Sequence, residues 1–219
     1  MFIYAPPQEP NYEIVYEDED MLVLNKQPGL LSVPGRLAEH KDSLYNRILV
    51  DYPTAQVVHR LDMDTSGIII MPLNKPALSH ISKQFQARTI GKTYFADVYG
   101  RPENPTGSVD LPLIFDPPNR PKQKVCFETG KPSLTHYEVV SSTGSYSRVK
   151  LKPVTGRSHQ LRVHMQAIGH PIVGDSLYAQ KEHNYKDERL HLHAYDISLL
   201  HPRTEEVLYF SSPVEFEKK

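Results

Sequence analysis

The chain has very little cysteine and no long hydrophobic run. These two absences exclude several classes of protein and of binding site. A single cysteine among 219 residues, Cys126, excludes a disulfide within the chain and a zinc site built from several thiolates. No apolar stretch approaches the roughly 20 residues of a membrane-spanning helix. Residues 1–11 lack the basic start and apolar centre of a secretion signal. We therefore expect a cytoplasmic protein that does not contact a membrane.

Two large classes of catalytic site are also absent. The sequence contains neither the glycine-rich loops that hold phosphates in nucleotide-binding enzymes nor the serine-centred turn of the hydrolases. Histidines leave a metal site open as an alternative, through His159, His164 and His170, or through the pair His191 and His193. Neither set has an evident further ligand. What remains is a carboxylate in a polar loop, several arginines and tyrosines on strands, which suits a cofactor-free, metal-free reaction at a sugar carbon or a base.

The net charge of −1 conceals an uneven distribution along the chain. Residues 1–24 carry six acids and no lysine or arginine, whereas residues 25–170 hold 19 basic and 11 acidic residues. The middle of the chain can therefore present a basic surface, because phosphate binding responds to the local field rather than to the total charge. This distribution is compatible with a nucleic-acid partner that is bound with moderate affinity.

Strand patterns outnumber helix patterns, and helices do not alternate regularly with strands. Helices are predicted after Ser43, after Asn74, and from about Thr155 to Ile168. Residues 101–131 are rich in proline and are expected to be irregular, and the polar residues 175–189 are expected to form a mobile loop. The remaining pattern predicts an α+β domain with a mostly antiparallel mixed β-sheet flanked by helices. The predicted strands are residues 12–16, 21–26, 67–73, 92–100, 135–140, 146–152, 190–200 and 207–210.

One polar stretch interrupts two apolar runs and is the strongest candidate for a functional site. The motif HRLDMDTSG occupies residues 59–67 and is followed at once by a run of isoleucines. Loops of this kind, carried on a rigid scaffold, often hold catalytic groups. The simpler interpretation is a solvated turn in which the aspartate and serine side chains only cap backbone amides. The pattern alone leaves both interpretations open.

Several motifs in order along the chain resemble the RluA-type pseudouridine synthase family, which isomerises uridine in RNA. The resemblance covers roughly residues 12–212, with residues 1–11 as a tail before a catalytic domain at 12–219. Relatives often carry an N-terminal S4 domain, which is not expected here. The motifs are NKQPGLLSVPG (25–35), HRLD with TSG (59–67), KTY (92–94), TGRSHQLRVH (155–164), GHPIVGD (169–175) and LHA (192–194). One departure is Gln27, where the family more often has proline.

The resemblance implies three catalytic residues. Asp62 would attack or stabilise the sugar carbon, Arg162 would pair with that carboxylate, and Tyr94 would lie against the flipped base. Without the family, Tyr94 on a strand would be read as packing and Arg162 on a helix as a surface cation. His59 and Ser66 are assigned first to hydrogen bonds within the loop rather than to chemistry.

The family likeness also implies RNA contacts. Arg60 is placed to enter the space that the flipped base leaves. The basic loop, which we define as residues 119–124 (NRPKQK), most resembles the dual-specificity branch that acts on a 23S rRNA hairpin and on a tRNA anticodon stem-loop. We expect a monomer that modifies those RNAs. The predicted RNA-binding residues are His59, Arg60, Arg120, Lys122, Lys124, Arg157 and His159.

Two other functions stay open at this point. A catalytically inactive RNA-binding module or RNA chaperone could use the same fold, although the presence of Asp62, Tyr94 and Arg162 favours an enzyme. A nucleosidase or glycosidase could use the same carboxylate chemistry and would release free uracil.

Overall fold

The computed structural model describes residues 3–179, 189–214 and 216. It contains three α-helices, α1 (Leu44–Asp51), α2 (Lys75–Ala87) and α3 (Gln160–Ala167), within that described part. The strands there are β1 (Ile14–Glu17), β2 (Met21–Lys26), β3 (Ser66–Pro72), β4 (Gly91–Tyr99), β5 (Thr106–Asp110), β6 (Leu113–Phe115), β7 (Gln123–Val125), β8 (Leu134–Thr143), β9 (Tyr146–Pro153), β10 (Leu192–Leu200) and β11 (Val207–Ser211). The chain forms two compact units, Met1–Lys92 with His193–Val214, and Thr93–Leu192 with Glu215–Lys219.

The first unit is built around two strands that are buried along their whole length. Every residue of β2 and β3 is buried, as a continuous apolar run predicts for a strand covered on both faces. β2 pairs antiparallel with β1 and with β3, and β10 pairs parallel with β3 and antiparallel with β11. Helix α2 packs its apolar side, with Ile81 fully buried, against the core of this sheet. This unit carries the HRLD motif immediately before β3.

In the second unit the strands β4, β9, β8 and β5 lie side by side and are all antiparallel. Its core joins β4 and β9 to α3 through side chains such as Val98, Leu151 and Met165. A separate hairpin of β6 and β7 carries residues 119–122 between its strands, and Gln123 and Lys124 are the first two residues of β7. This unit contains Tyr94, Arg162 and the basic loop.

The predicted α+β class with a mixed, mostly antiparallel sheet is confirmed. Ser43 and Asn74 cap α1 and α2 as expected, since their side chains accept hydrogen bonds from the N–H groups of Asn46 and Ala77. The prediction that residues 101–131 are irregular is wrong. Three short strands form there because the prolines flank them: β5 fits between Pro105 and Pro112, where no ladder N–H is lost.

The prediction of a mobile loop at residues 175–189 is wrong at its start. Asp175 is fully buried and Tyr178 nearly so, whereas residues 180–188 lie outside the described part of the chain. The domain limits at residues 12 and 219 stay predictions. Among the described residues, no helix combines the length and the apolar character needed to cross a membrane.

Candidate active site

Asp62 lies at the first position of a tight turn that leads into β3. The backbone N–H of Thr65 donates to the carbonyl oxygen of Asp62 at 3.2 Å, so residues 62–65 close a turn. The aspartate side chain is half-buried. Aspartate is common at this position of a turn, so the geometry of the turn alone is also compatible with a purely structural role for Asp62. The contacts around the turn show how firmly it is held.

The loop of residues 25–35 fixes the backbone on both sides of Asp62. The Ser32 hydroxyl donates to the carbonyl of Leu61 at 2.7 Å and accepts from the Leu61 N–H at 3.1 Å. The N–H of Gly29 donates to the carbonyl of Met63 at 3.0 Å. Leu61 and Met63 flank Asp62 directly, so the aspartate is held by contacts on either side. Catalytic groups that are fixed in this way need little reorganisation during the reaction.

The buried side chain of Lys26 also supports the backbone next to Asp62. Its side chain is 1% exposed, and its ammonium group donates to the carbonyls of Gln27, Leu30 and Met63 at 2.8, 2.7 and 2.8 Å. A buried ammonium is costly unless its donors are satisfied, and here three carbonyls satisfy them. Lys26 therefore holds residues 25–35 and the Asp62 turn together.

We expect Lys26→Met to lower the free energy of unfolding by about 3 kcal/mol, because it leaves three carbonyls without this donor. Activity should also fall at temperatures where the variant is still folded, since Met63 keeps the hydrogen bond from Gly29 but loses the one from Lys26. Thermal unfolding and single-turnover rates measure the two effects. Lys83→Met on the exposed side of α2 is the matched control. An unchanged unfolding temperature in Lys26→Met would contradict this role.

The end of the motif is held by β10. The Ser66 hydroxyl contacts Nδ1 of His193 at 2.8 Å, while His193 Nε2 faces the carbonyl of Ser212 at 3.1 Å. Because a carbonyl only accepts, Nε2 carries the proton and Nδ1 accepts from Ser66 when the ring is neutral. Gly67 has φ +107, and a Cβ at this position would lie 2.2 Å from the carbonyl oxygen of Ala194. Only glycine permits this close pairing of β3 with β10.

His59 makes contacts within the protein, whereas Arg60 is exposed. The ring of His59 accepts the backbone N–H of Ile70 at 2.9 Å and packs at a tilt against the ring of Phe85. Burial, with the nearby charge of Lys92, lowers the pKa of His59 to about 3, so the ring is neutral at physiological pH. This backbone hydrogen bond is the loop-holding role expected first for His59, and an RNA contact by this residue stays a prediction. Arg60 is exposed, as a residue that meets RNA must be.

In the second unit, Arg162 is held by Asp175, a residue for which no role is predicted from the sequence. Its guanidinium donates through Nε and Nη2 to the carboxylate of Asp175 at 2.8 and 2.7 Å. The side chains of Arg162 and Asp175 are 3% and 0% exposed. Asp175 also accepts the N–H groups of Leu177 and Tyr178 at 2.9 and 3.0 Å. This fork geometry fixes the plane and direction of the guanidinium.

The start of α3 is anchored by a buried polar network. Gln160 donates to the carbonyl of Leu134 and to the hydroxyl of Thr135, both at 3.0 Å. Its side-chain oxygen accepts from the hydroxyl of Thr155 at 2.7 Å and from the N–H of Arg157 at 3.0 Å. Thr155 and Gln160 of the TGRSHQLR motif thus have a structural role. They hold the loop that carries Arg157 and His159.

Tyr94 lies on β4 opposite Leu151 of β9, half-buried against the core of the second unit. A tyrosine in this position can pack with its ring and still present its hydroxyl outward. Asp62 belongs to the first unit, whereas Tyr94 and Arg162 belong to the second. The predicted pairing of Arg162 with Asp62 stays a prediction.

The basic loop is a closed turn with part of its charge already paired. Asp116 accepts from the side chain of Asn119 at 2.8 Å and lies 3.4 Å from the ammonium of Lys124. The hydrogen bond from Asn119 and then the charge of Lys124 lower the pKa of Asp116, so this carboxylate stays ionised. The guanidinium of Arg120 lies over the ring of Phe115, with 5.3 Å to the ring centre. Both Arg120 and Lys124 are exposed.

Comparisons with known proteins agree with this arrangement. The profile of the family described as RNA pseudouridylate synthase matches residues 20–167. The dual-specificity RNA pseudouridine synthase RluA of Escherichia coli (strain K12) is 55% identical over 214 residues, which cover 97% of this chain and 98% of that protein. The protein of the same name from Vibrio parahaemolyticus is 52% identical over 221 residues, 99% of this chain and 88% of that protein.

The chain belongs to the RNA pseudouridylate synthase family. The structure of human RNA pseudouridylate synthase domain containing 1 matches with a TM-score of 0.78 and 30% identity, over 95% of this chain and 86% of that chain. Human RNA pseudouridylate synthase domain containing 4 matches with a TM-score of 0.74 and 26% identity, over 92% and 88%. The expected activity, an isomerase acting on uridine in RNA, is confirmed, and an inactive RNA-binding module is not favoured.

Three further histidines of the metal alternative make hydrogen bonds within the protein. His164 lies between the hydroxyl of Thr135 at 2.9 Å and the carbonyl of Leu111 at 3.1 Å, and burial lowers its pKa. His170 contacts the carbonyl of Tyr99 at 2.9 Å, and His191 contacts the carboxylate of Asp97 at 3.1 Å. These three rings of the metal alternative are thus engaged in hydrogen bonds within the described protein.

The structure adds positioning residues that the sequence did not single out, chiefly Lys26, Ser32, Gln160, Asp175 and Tyr178. Only the family motifs contained a signal for them, because most lie inside the matching stretches. Lysine and aspartate are usually exposed, so residue type alone argues against the burial of Lys26 and Asp175.

Proposed function

We propose that this pseudouridine synthase modifies uridines in a 23S rRNA hairpin and in a tRNA anticodon stem-loop, with Asp62 as the catalytic carboxylate. The observation that carries the proposal is the support of Asp62 by Ser32 and Lys26, which bind the residues on either side of it. A turn that served only to lead the chain into β3 would not need a buried lysine ammonium group to hold its backbone. The likeness to the dual-specificity relatives supports the choice of RNAs.

The reaction breaks the bond between C1′ and N1, turns the uracil while it is held, and joins C1′ to C5. The proton lost from C5 balances the one gained at N1, so no redox change occurs and the reaction calls for no cofactor or metal. Asp62 provides the anionic oxygen for the electron-poor sugar carbon. Arg162 provides positive charge, which favours an ionised carboxylate, and Asp175 holds that arginine in place. Tyr94 lies against the extruded base.

Access to the uridine requires that the base leaves its stack. A hairpin loop is the favoured substrate because its bases are already partly unstacked and cost less to extrude than bases in a duplex. Arg60, exposed and two residues before Asp62, fills the vacated space. We propose that the protein acts in the cytoplasm as a monomer.

Site-resolved pseudouridine mapping on unmodified RNAs tests the proposal. An isolated anticodon stem-loop should react nearly as fast as whole tRNA, and a 23S rRNA hairpin with the same loop shape should also react. The same nucleotides in an unfolded single strand or a full duplex should be poor substrates. If the stem-loop is inert while whole tRNA reacts, recognition extends beyond the loop. Release of free uracil would show a glycosidase instead.

The basic loop gives a separate prediction about affinity. Arg120, Lys122 and Lys124 changed together to Gln should weaken stem-loop binding and lower the slope of log affinity against log salt by about 0.7–0.9 for each lost phosphate contact. Because Lys124 is paired with Asp116, its share should be smaller than that of Arg120. Anisotropy titrations at several salt concentrations measure the slope.

The matched control for this prediction changes three exposed cations on and next to α2, namely Lys75, Lys83 and Arg88, to Gln. It removes the same charge, so a loss caused only by the lower total charge would appear equally in both triple variants. An equal slope change in both would contradict a phosphate contact by the basic loop.

A further inference from the structure

Tyr178 lies where three segments of the second unit meet. Its hydroxyl accepts the backbone N–H of Gln123, the first residue of β7, at 2.7 Å. The same hydroxyl lies 2.7 Å from Nδ1 of His159, in the loop before α3. One oxygen atom therefore links the end of the basic loop to the loop that carries Arg157 and His159.

The Tyr178 ring fills the space beneath these contacts. It is 6% exposed and packs with Leu113 of β6 and Val163 of α3. The guanidinium carbon of Arg162 lies 5.2 Å from the ring centre, and the ammonium of Lys122 lies 6.0 Å from it. The ring thus holds the β6–β7 hairpin against α3, and the hydroxyl adds a directional bond to that contact.

The position of Tyr178 is itself fixed by Asp175. The Asp175 carboxylate accepts the N–H of Tyr178 at 3.0 Å while it binds Arg162. Gly174, with φ +73, allows this arrangement, because a Cβ there would lie 1.9 Å from the carbonyl oxygen of Arg189. His159, also at positive φ, contacts Tyr178 through its ring, and its side chain makes no capping bond to α3. Asp175 thus holds the backbone of Tyr178, while His159 contacts its side chain.

We infer that Tyr178 is a positioning residue for RNA binding, whose hydroxyl sets the basic loop against the loop of Arg157 and His159 so that both contact one RNA. The inference rests on the proposed function. Fixing Gln123 sets the position of its neighbours on both sides, which include Arg120 and Lys122 before it and Lys124 after it. A loop that is already in its binding position loses less conformational entropy when RNA arrives. Tyr178 acts through other residues and need not touch the RNA.

Removing the Tyr178 hydroxyl should lower the affinity for RNA without lowering the rate of the chemical step. Tyr178→Phe keeps the ring and its packing but removes the hydroxyl, so the contacts of Asp175 with Arg162 are unchanged. We expect a labelled stem-loop to bind about tenfold more weakly, in line with the loss of a buried hydrogen bond. The salt slope should be smaller, while the single-turnover rate at saturating RNA should stay within about twofold. A role limited to stability would lower the unfolding temperature and leave affinity per folded molecule unchanged.

A double-variant cycle gives the decisive test. Arg120→Gln with Lys124→Gln is introduced into the wild type and into Tyr178→Phe, leaving Lys122 intact because it contacts the Tyr178 ring. If the hydroxyl positions the basic loop, the charge change should cost much less affinity in Tyr178→Phe than in the wild type. Equal costs in both backgrounds, or unweakened binding by Tyr178→Phe, would overturn the inference.

Two controls keep the outcomes distinct. Tyr209→Phe removes an exposed hydroxyl that bonds to Asp196 on the β10–β11 hairpin, and it should bind RNA like the wild type. Pseudouridine formation by the wild type on the same stem-loop is measured in parallel. If the wild type binds but forms no pseudouridine there, the proposed substrate is wrong, and the coupling between Tyr178 and the basic loop is still decided by the binding cycle.

Discussion

Asp62→Asn is expected to abolish pseudouridine formation, with a single-turnover rate below about one ten-thousandth of the wild-type value. The amide has nearly the same size and can still accept hydrogen bonds, but it cannot supply the anionic oxygen that the sugar carbon needs. RNA binding should stay within a few fold, because the basic loop is untouched. Asp64→Asn is the matched control, in the same turn and also half-buried.

The pair of variants decides between two interpretations of the loop. The backbone contacts of Lys26, Gly29 and Ser32 bind Leu61 and Met63, the two neighbours of Asp62, and only one of these is a neighbour of Asp64. Asp64→Asn should therefore retain most of the activity. A comparable loss in both variants would show that the carboxylates act together or only stabilise the turn, and the assignment of Asp62 as the catalytic carboxylate would fail.

Asp175→Asn is expected to have the largest effect on stability, about 3–5 kcal/mol, and to reduce turnover as well. The change leaves the guanidinium of Arg162, only 3% exposed, without its charged partner. It also weakens the support of the Leu177 and Tyr178 N–H groups. Chemical denaturation measures the loss. Asp110→Asn, on the exposed side of β5, should change stability by less than about 0.5 kcal/mol.

A double variant shows whether the buried pair serves stability or catalysis. Arg162→Met with Asp175→Leu replaces both charges by apolar groups, a change that is often neutral for stability. It should recover most of the free energy of unfolding lost in Asp175→Asn and still form no pseudouridine. Full activity in this double variant would remove Arg162 from the catalytic residues.

The sequence predicted the strands that are apolar over their whole length and the helices that have a capping side chain. β3 and α2 are examples, because hydrophobic periodicity and the Asn74 cap act locally. The strands β5, β6 and β7 were missed because the prolines around them are the stronger local signal. Their pairing depends on partners elsewhere in the chain, such as β8 for β5.

The proposed catalytic residues were predicted from the family motifs, whereas the residues that support them were found only in the structure. Asp175 lies in a polar stretch, and its partner Arg162 is 13 residues away, so no local pattern shows that the two charges are buried together. The same is true of Lys26, whose contact with Met63 spans 37 residues. Buried polar contacts between distant segments carry little periodic signal, which is why sequence reasoning finds the reacting groups before their supports.

The parallel pairing of β3 with β10 has a consequence for the order of events during synthesis. His193, which joins Ser66 across this pair, follows it by 127 residues, so the ribosome completes residues 93–191 of the second unit before β10 emerges. Until then, one edge of β3, with its run of three isoleucines, has no partner strand. Unpaired apolar edges are prone to aggregate. The nascent chain should therefore depend on chaperones until about residue 200 has left the exit tunnel, and a fragment that ends before β10 should be insoluble.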